Sequence, residues 1–571
     1  MFLNFFEEKI ENVIRGFSTD DYRIPIIVPD DQATLECFQQ IDIPKIKSII
    51  LKANPTFCDN DPIPFKKIFI DGNLDKLTGV VTELVNTSIT TKVFPDSEKC
   101  AIVKPIVKAN KDPQSLTSYR PVSNLTFLSK VFEKVILEQL MEYLLAINIF
   151  PDNQSAYRRL YSTETTLCAV VNNIMVNMDE GKCSILILLD LSAAFDTVEH
   201  NLLIQDCQNI GIVNEALEYL VSYLADRTYR VQIGDAFSET RTLLRGVPQG
   251  SVLGPILFCI YTIGLAQILK NHGIDFKLYA DDTQFYLTLT NIVEAEIKVN
   301  EIMSEIKRWM NSKRLKLNED KTECLVIGKN SDLVRYDLTN IKVLDTDMPL
   351  SNKVKDLGII IDKNLSFCDQ VNSVVKIANY HLKNLSFVRK YLDIDSMKKL
   401  IHNHVISRLD YCNSVYYGLP NYLLKKLQMI MNRAARLIKT IPRRERITTT
   451  LIELHWLPIK ARIVYKICVL TFQAKKLGKP TYLNELLEDY CTMSQVILRH
   501  NTEHCRLNES RYNQEIGRRA FKNCAPRLFN KLPASVKQCD DISVFKKRLK
   551  THLFAECYDM QTRTIEDEYK C

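Results

Sequence analysis

The stretch FKLYADDTQFYLTL, residues 276–289, sets two adjacent carboxylates, Asp281 and Asp282, inside a run of aromatic and aliphatic residues. Acid pairs usually stay in water, because burying an unpartnered carboxylate costs several kcal/mol. The flanking residues favour β-structure, so the segment reads as two short strands joined by a tight turn. Asp also favours turns for local reasons, which makes a plain hairpin tip one reading. The other is a hairpin that holds two carboxylates at a metal site.

Working outward, residues 184–190, SILILLD, run through five large aliphatics before ending on Asp190. Such a run predicts a strand buried on both faces, with the acid at the edge of the core. The residues LSAAFD at 191–196 then form a turn leading into a helix expected over 201–225. A hairpin over 231–234 and 240–244 follows, and RGVPQGS at 245–251 breaks regular structure. Residues 252–269 carry no charge and have the length of a membrane span. Their Gly254, Pro255, Gly264 and Gln267 favour a buried core helix instead. Upstream, residues 101–108 read as a strand and 129–145 as a helix; downstream, 292–310 read as helix, 314–328 as loop then strand, and 355–362 as a short strand pair. Two acid-bearing elements thus flank a Gly-rich break, a frame suited to carboxylates converging on Mg²⁺, which prefers oxygen ligands. Clustered acids repel one another, so such a site makes physical sense chiefly with a cation present.

A chain of 571 residues exceeds what one core usually supports. Residues 371–480 carry 21 Lys and Arg against 5 Asp and Glu, a net of +16; the whole chain is +7, leaving −9 for the rest. A basic, helix-patterned segment on a mildly acidic body points to a polyanion partner, nucleic acid before a merely solvated helix face. The 17 cysteines are scattered singly, none closer than Cys491 and Cys505, which fits a reducing compartment and small core residues. Cys491, His500, His504 and Cys505 do not match a zinc-knuckle spacing. The N-terminal MFLNFFEEKIENVIRGF is an amphipathic helix pattern broken by charge, unlike a signal peptide.

The ordered set YRPV at 119–122, QSAYR at 154–158 with STE at 162–164, LDLSAAFD at 189–196, GVPQGS at 246–251, YADD at 279–282, LNEDKT at 317–322 and LG at 357–358 resembles reverse transcriptases of non-LTR (LINE-type) retrotransposons. Each motif is weak alone; seven in the family's order over residues 85–365 are specific. The resemblance implies an α+β right-hand polymerase: fingers and a palm with an antiparallel sheet over 86–365, a basic helical thumb and extension over 366–480, and a mostly helical C-terminal region over 481–571, with 1–85 as an N-terminal extension or linker.

Carried over by position, Asp190, Asp281 and Asp282 would bind two Mg²⁺ (or Mn²⁺), with Asp190 and Asp281 as the foremost ligands. Phe195 would lie under the sugar of the incoming nucleotide and exclude a 2′-hydroxyl. Gln249 and Gly250 would sit beside the same nucleotide, with Gly246 and Gly250 allowing close backbone approach. Arg120 and Lys108 (or Lys104) would hold the triphosphate, and Lys321 would protonate the pyrophosphate as general acid. The implied function is RNA-directed DNA polymerase, taking dNTPs, an RNA template and a DNA primer, with residues 371–480 on the duplex and no membrane partner. The rival from another class is a decayed or co-opted RNA-binding protein that keeps the fold. An RNA-templated RNA polymerase shares the palm, but Phe195 and Tyr279-Ala280 argue against it. The endonuclease common in such elements would not fit in the first 85 residues given, which implies a truncated copy, a fragment of a longer gene, or an enzyme whose nick comes from elsewhere. The family implies an intracellular, nuclear location.

Overall fold

The computed structural model describes residues 1–17, 33–53, 58–61, 73–108, 111–336, 339–344, 346–490 and 506–558. The fold is mixed α and β. Its strands run β1 (Cys100–Val107), β2 (Tyr119–Asn124), β3 (Cys183–Leu189), β4 (Leu191–Ser192), β5 (Thr228–Ile233), β6 (Ala236–Phe237), β7 (Arg241–Thr242) and β8 (Asp275–Tyr279). They continue as β9 (Asp282–Leu289), β10 (Lys316–Leu317), β11 (Glu323–Ile327), β12 (Asn340–Val343), β13 (Thr346–Pro349), β14 (Lys353–Asp356) and β15 (Ile359–Asp362). The chain divides into two compact units: Met1–Tyr157, Leu189–Gly273 and Glu301–Thr322 in the first, Arg158–Leu188, Ile274–Asn300 and Glu323–Cys571 in the second.

In the first unit a sheet of order β2-β1-β5-β6, with β7 also on β5, forms the frame. Strand β1 pairs antiparallel with β2 and parallel with β5. Its first half, Ala101 to Val103, is buried, whereas Lys104, Ile106 and Val107 are exposed, so β1 carries chain from the core to an open edge. The amphipathic N-terminal helix, Phe2–Ile14, lays Leu3 and Phe6 on Val103 and Val231 of this sheet. The helix Phe127–Ala146 starts where the Thr126 side chain accepts the Ser129 N–H, a standard N-cap. The single helix expected over 201–225 is instead two, His200–Asn209 and Asn214–Leu224. The break has a tertiary cause: Leu35 bonds the backbone of Gly211 and Val213 and holds that turn extended. The uncharged stretch after the PQG motif likewise forms two short buried helices, Gly254–Tyr261 and Ile263–Asn271. Among the described residues no helix is long and apolar enough to cross a membrane.

The second unit is built on the sheet β11-β3-β9-β8. The aliphatic run reads out as expected: Cys183 to Ile187 and Leu189 are buried. Strands β8 and β9 form the expected hairpin, with Tyr279 paired to Asp282 across the two-residue turn Ala280-Asp281. The helix Thr163–Asp179 covers this sheet and opens with a reciprocal cap between Ser162 and Thr165. Residues 371–480 are largely helical, in Cys368–Val388, Ile394–Ile401, Asn421–Lys439 and Ile459–Leu477. Glu164 of the STE motif ties that region down, accepting the Ser414 N–H and pairing with Lys466 at 2.8 Å. The last helices join the same core, with Phe545 stacked on Phe472 at 4.1 Å between ring centres. Among the described residues none of the fourteen cysteines is in a disulfide. Cys491, His500, His504 and Cys505 lie outside the described residues.

Candidate active site

Within the first unit, Asp190 sits where the chain leaves the buried strand β3. The two-residue ladder of β4 with β10, Leu191 opposite Leu317, brings the LNEDKT segment alongside it. Asn318 donates its backbone N–H to the Asp190 carbonyl at 2.8 Å and its side-chain amide to Asp190 Oδ2 at 3.0 Å. Lys321 Nζ reaches the same Oδ2 at 3.0 Å. Two residues predicted 131 positions apart to serve one reaction are therefore in contact. The pair is well exposed, Asp190 at 38% and Lys321 at 65%, so it is a weak and exchangeable bridge.

The loop carrying Phe195 meets the PQG loop at short range. Val247 N–H bonds the Phe195 carbonyl at 2.9 Å and Gly246 N–H the Val198 carbonyl at 2.8 Å. A Cβ on Gly246 would stand 2.9 Å from the Asp196 backbone, so only glycine admits this approach. Phe195 stacks on Phe258 at 4.4 Å, which fixes its ring. Gln249 is held twice: its carbonyl accepts the Ser123 N–H at 2.8 Å, and its side-chain amide donates to Asp196 Oδ1 at 2.7 Å. Gly250, at φ 124°, presses its α-carbon against the Ser123 carbonyl, where any side chain would collide. Burial raises the Asp196 carboxyl to about 6, against the pull of the Gln249 bond and of Lys9. Beneath the loop, the fully buried Glu133 accepts the N–H groups of Val252 and Leu253 at 2.6 and 2.9 Å, capping the helix Gly254–Tyr261.

Cations gather on the open edge of the same unit. Lys108, just past β1, donates to the Thr117 carbonyl at 3.0 Å. Its amine is pushed below the usual lysine range by partial burial and then by the charges of Lys9, Lys321, Arg120 and Lys111. Lys108, Arg120 and Lys321, singled out separately from the sequence, thus share one positive field, and an anion there would relieve their mutual repulsion. Lys104, two residues inward of Ile106 on β1, is exposed on the same strand.

In the second unit, Asp281 lies in the β8–β9 turn and Asp282 opens β9, so both stand at the tip of the expected hairpin. Ala280 adopts the left-handed φ of 59°, a conformation uncommon for a non-glycine residue. Asp282, the first residue of β9, is exposed, and Asp281 is half-buried. The LG pair falls at the tight turn between β14 and β15. Next to it Asp356 is buried, and its carboxyl is raised to about 8 by burial and then by the charge of Asp282. Among the described residues no three His, Cys, Asp or Glu side chains form a ready metal-ligand group. Asp190 nevertheless offers the donor chemistry a hard cation needs: accessible carboxylate oxygens whose present partners, a lysine and an amide, are displaceable.

Sequence reasoning did not single out Asn318, Lys9, Glu133, Asp196 or Asp356. A signal existed for three of them: Glu133 is an acid among the apolar positions of its helix, and Asn318 and Asp196 stood inside quoted motifs.

Comparison with known proteins matches residues 106–361 to the family model "Reverse transcriptase (RNA-dependent DNA polymerase)". A probable RNA-directed DNA polymerase from transposon BS of Drosophila melanogaster is 28% identical over 378 residues, 64% of this chain and 41% of the relative. One from transposon X-element of the same species is 28% identical over 369 residues, 63% of this chain and 39% of the relative. The RNA-directed DNA polymerase from mobile element jockey of Drosophila funebris is 24% identical over 367 residues, 63% of this chain and 40% of the relative. The chain spans about two fifths of the length of these curated relatives. Seven motifs in order, the contact of Asp190 with Lys321, and these matches lead to one conclusion: residues 106–361 form a reverse transcriptase domain, similar to the RNA-directed DNA polymerases of non-LTR retrotransposons.

Proposed function

We propose that this chain is an RNA-directed DNA polymerase that extends a DNA 3′-hydroxyl with dNTPs along an RNA template. The observation that carries the reading is the meeting, in one unit, of the Asp190–Lys321 pair with the Phe195–Gln249 loop contacts and the Lys108–Arg120 cations. In this reading residues 86–365 supply fingers and palm, and the basic helices of 366–480 the thumb.

Arg120 and Lys108 hold the triphosphate by charge-assisted hydrogen bonds. The Phe195 ring, backed by Phe258, closes the space a 2′-hydroxyl would need. Gln249 and the bare backbone of Gly250 line the nucleotide's other side. Lys321 exchanges its bridge to Asp190 for the leaving pyrophosphate and gives a proton to its departing oxygen. Asp190, Asp281 and Asp282 would hold two Mg²⁺, which when bound would neutralise charge on the phosphates in the manner general to phosphoryl transfer. Exposed Lys376, Lys383 and Lys425 on the helices Cys368–Val388 and Asn421–Lys439 suit a duplex backbone.

The test supplies dNTPs or rNTPs to an RNA template with a DNA primer. Extension with dNTPs alone is expected. Equal extension with rNTPs would move the chain to RNA-templated RNA synthesis, and extension with neither would leave a binding protein.

A further inference from the structure

Gln249 and Asp196 are 53 residues apart in sequence and 2.7 Å apart in space, amide nitrogen to carboxylate oxygen. We propose that Asp196 is the positioning residue that fixes which end of the Gln249 amide an incoming nucleotide meets, nitrogen turned inward and carbonyl turned out. The inference rests on the nucleotide-site reading of this loop and adds to it a residue that has no assigned role there.

The chemistry is directional. An ionised carboxylate can only accept, so only the amide nitrogen of Gln249 can face it. The amide oxygen must then point away, and no described group donates to it. Neither partner is free to drift. The Gln249 backbone is bonded to Ser123, and the next residue, Gly250, is wedged against the same strand. Asp196 is held by its own N–H on the Ala193 carbonyl at 2.9 Å and by the tight approach of Gly246. The bond is charge-assisted, which makes it stronger than one between neutral groups. A primary amide has two ends of opposite hydrogen-bonding sense, and rotation of its last torsion exchanges them. Without Asp196 the side chain would present either end. With it, Gln249 is a fixed acceptor, selecting a hydrogen-bond donor on the nucleotide.

The test measures dNTP affinity on the full chain with an RNA template and a 3′-blocked DNA primer, so that no chemistry intervenes. The proteins are the parent, Asp196→Leu, Asp196→Asn, Gln249→Ala and the Asp196→Leu/Gln249→Ala pair. Losing the orienting bond should weaken dNTP binding about tenfold in Asp196→Leu. Gln249→Ala should lose a similar factor, and the double variant should lose no more than Gln249→Ala. Asp196→Asn, whose amide oxygen accepts the same bond, should recover to within about threefold of the parent. With ¹⁵N-labelled glutamine, the Gln249 side-chain amide should exchange slowly in the parent and in Asp196→Asn and rapidly in Asp196→Leu. Should Asp196→Leu lose template–primer binding through misfolding, Asp196→Ala carries the same comparison.

Multiplying losses in the double variant, or an unchanged amide resonance in the leucine variant, would overturn the proposal. A parent that binds dNTP with this pattern but never extends an unblocked primer would sink the polymerase reading and leave the positioning role standing. A parent that binds no nucleotide would overturn both.

Discussion

Glu133 offers the sharpest structural prediction, because one side chain holds the loop that carries Gln249. Its carboxylate is fully buried and accepts the Val252 and Leu253 N–H groups, the Tyr223 hydroxyl at 3.2 Å and the Ser129 hydroxyl at 3.3 Å. The guanidinium of Arg227, only 1% exposed, lies close enough to offset part of the burial that raises the Glu133 proton affinity. Replacing Glu133 by alanine strands two backbone donors at the start of the helix Gly254–Tyr261 and leaves Arg227 without its counter-charge. Each orphaned donor costs about 1–3 kcal/mol. Water entering the new space recovers part, so about 3 kcal/mol is expected locally, a factor on the order of one hundred. The assay is hydrogen exchange at the Val252 and Leu253 amides, which reads this loop without assuming that a chain of two units unfolds in one step. Glu133→Ala should cut their protection by that factor. Glu133→Gln, keeping one acceptor oxygen, should cut it by about tenfold. Protection within threefold of the parent in Glu133→Ala would refute the capping role.

Three further predictions concern the site itself. Phe195→Val removes the ring stacked on Phe258 and should lower discrimination against rNTPs by about ten- to a hundredfold, read as the ratio of kcat/KM for paired nucleotides; unchanged discrimination would remove Phe195 from the nucleotide site. Lys321→Met should lower kcat by about a hundredfold while dNTP KM moves little, as expected of a general acid; a rise in KM alone would make it a binding residue. Asp196, raised to about 6 when folded against an ordinary value of 3.8, keeps a proton between those values that the unfolded chain has shed. Stability from this group is therefore full below pH 3.8, falls by about 3 kcal/mol as pH rises to 6, and is flat above. Asp196→Asn lacks that penalty, so its melting temperature should exceed the parent's at pH 7.5 and converge with it near pH 4. Parallel melting curves at both pH values would contradict the burial argument.

Much of this arrangement was legible because local and global preferences agreed. The aliphatic run into Asp190 became the buried strand β3, and the YADD segment became a hairpin with its turn at Ala280-Asp281. Where the reading failed, distant chain intervened. Helical period runs through residues 201–225, but Leu35 captures the backbone at Gly211 and Val213, a contact no window around 211 contains. The uncharged stretch after PQG promised one helix and gave two, Gly254–Tyr261 and Ile263–Asn271. The Asp196–Gln249 bond was invisible for the same reason: each residue sat in a recognised motif, yet their meeting depends on how two loops fold against each other. The C-terminal helices carry no motif, and their place in the core follows from single aromatic contacts such as Phe545 on Phe472.

If this chain adds nucleotides, Asp190 and Asp281 are the acids that should carry the step. The most direct measurement is primer extension by the purified chain on an RNA template with a DNA primer, dNTPs and Mg²⁺, beside Asp281→Asn and Asp190→Asn. Extension by the parent is expected, with both variants binding template–primer without extending it. Extension by either variant at a rate near the parent's would contradict that assignment.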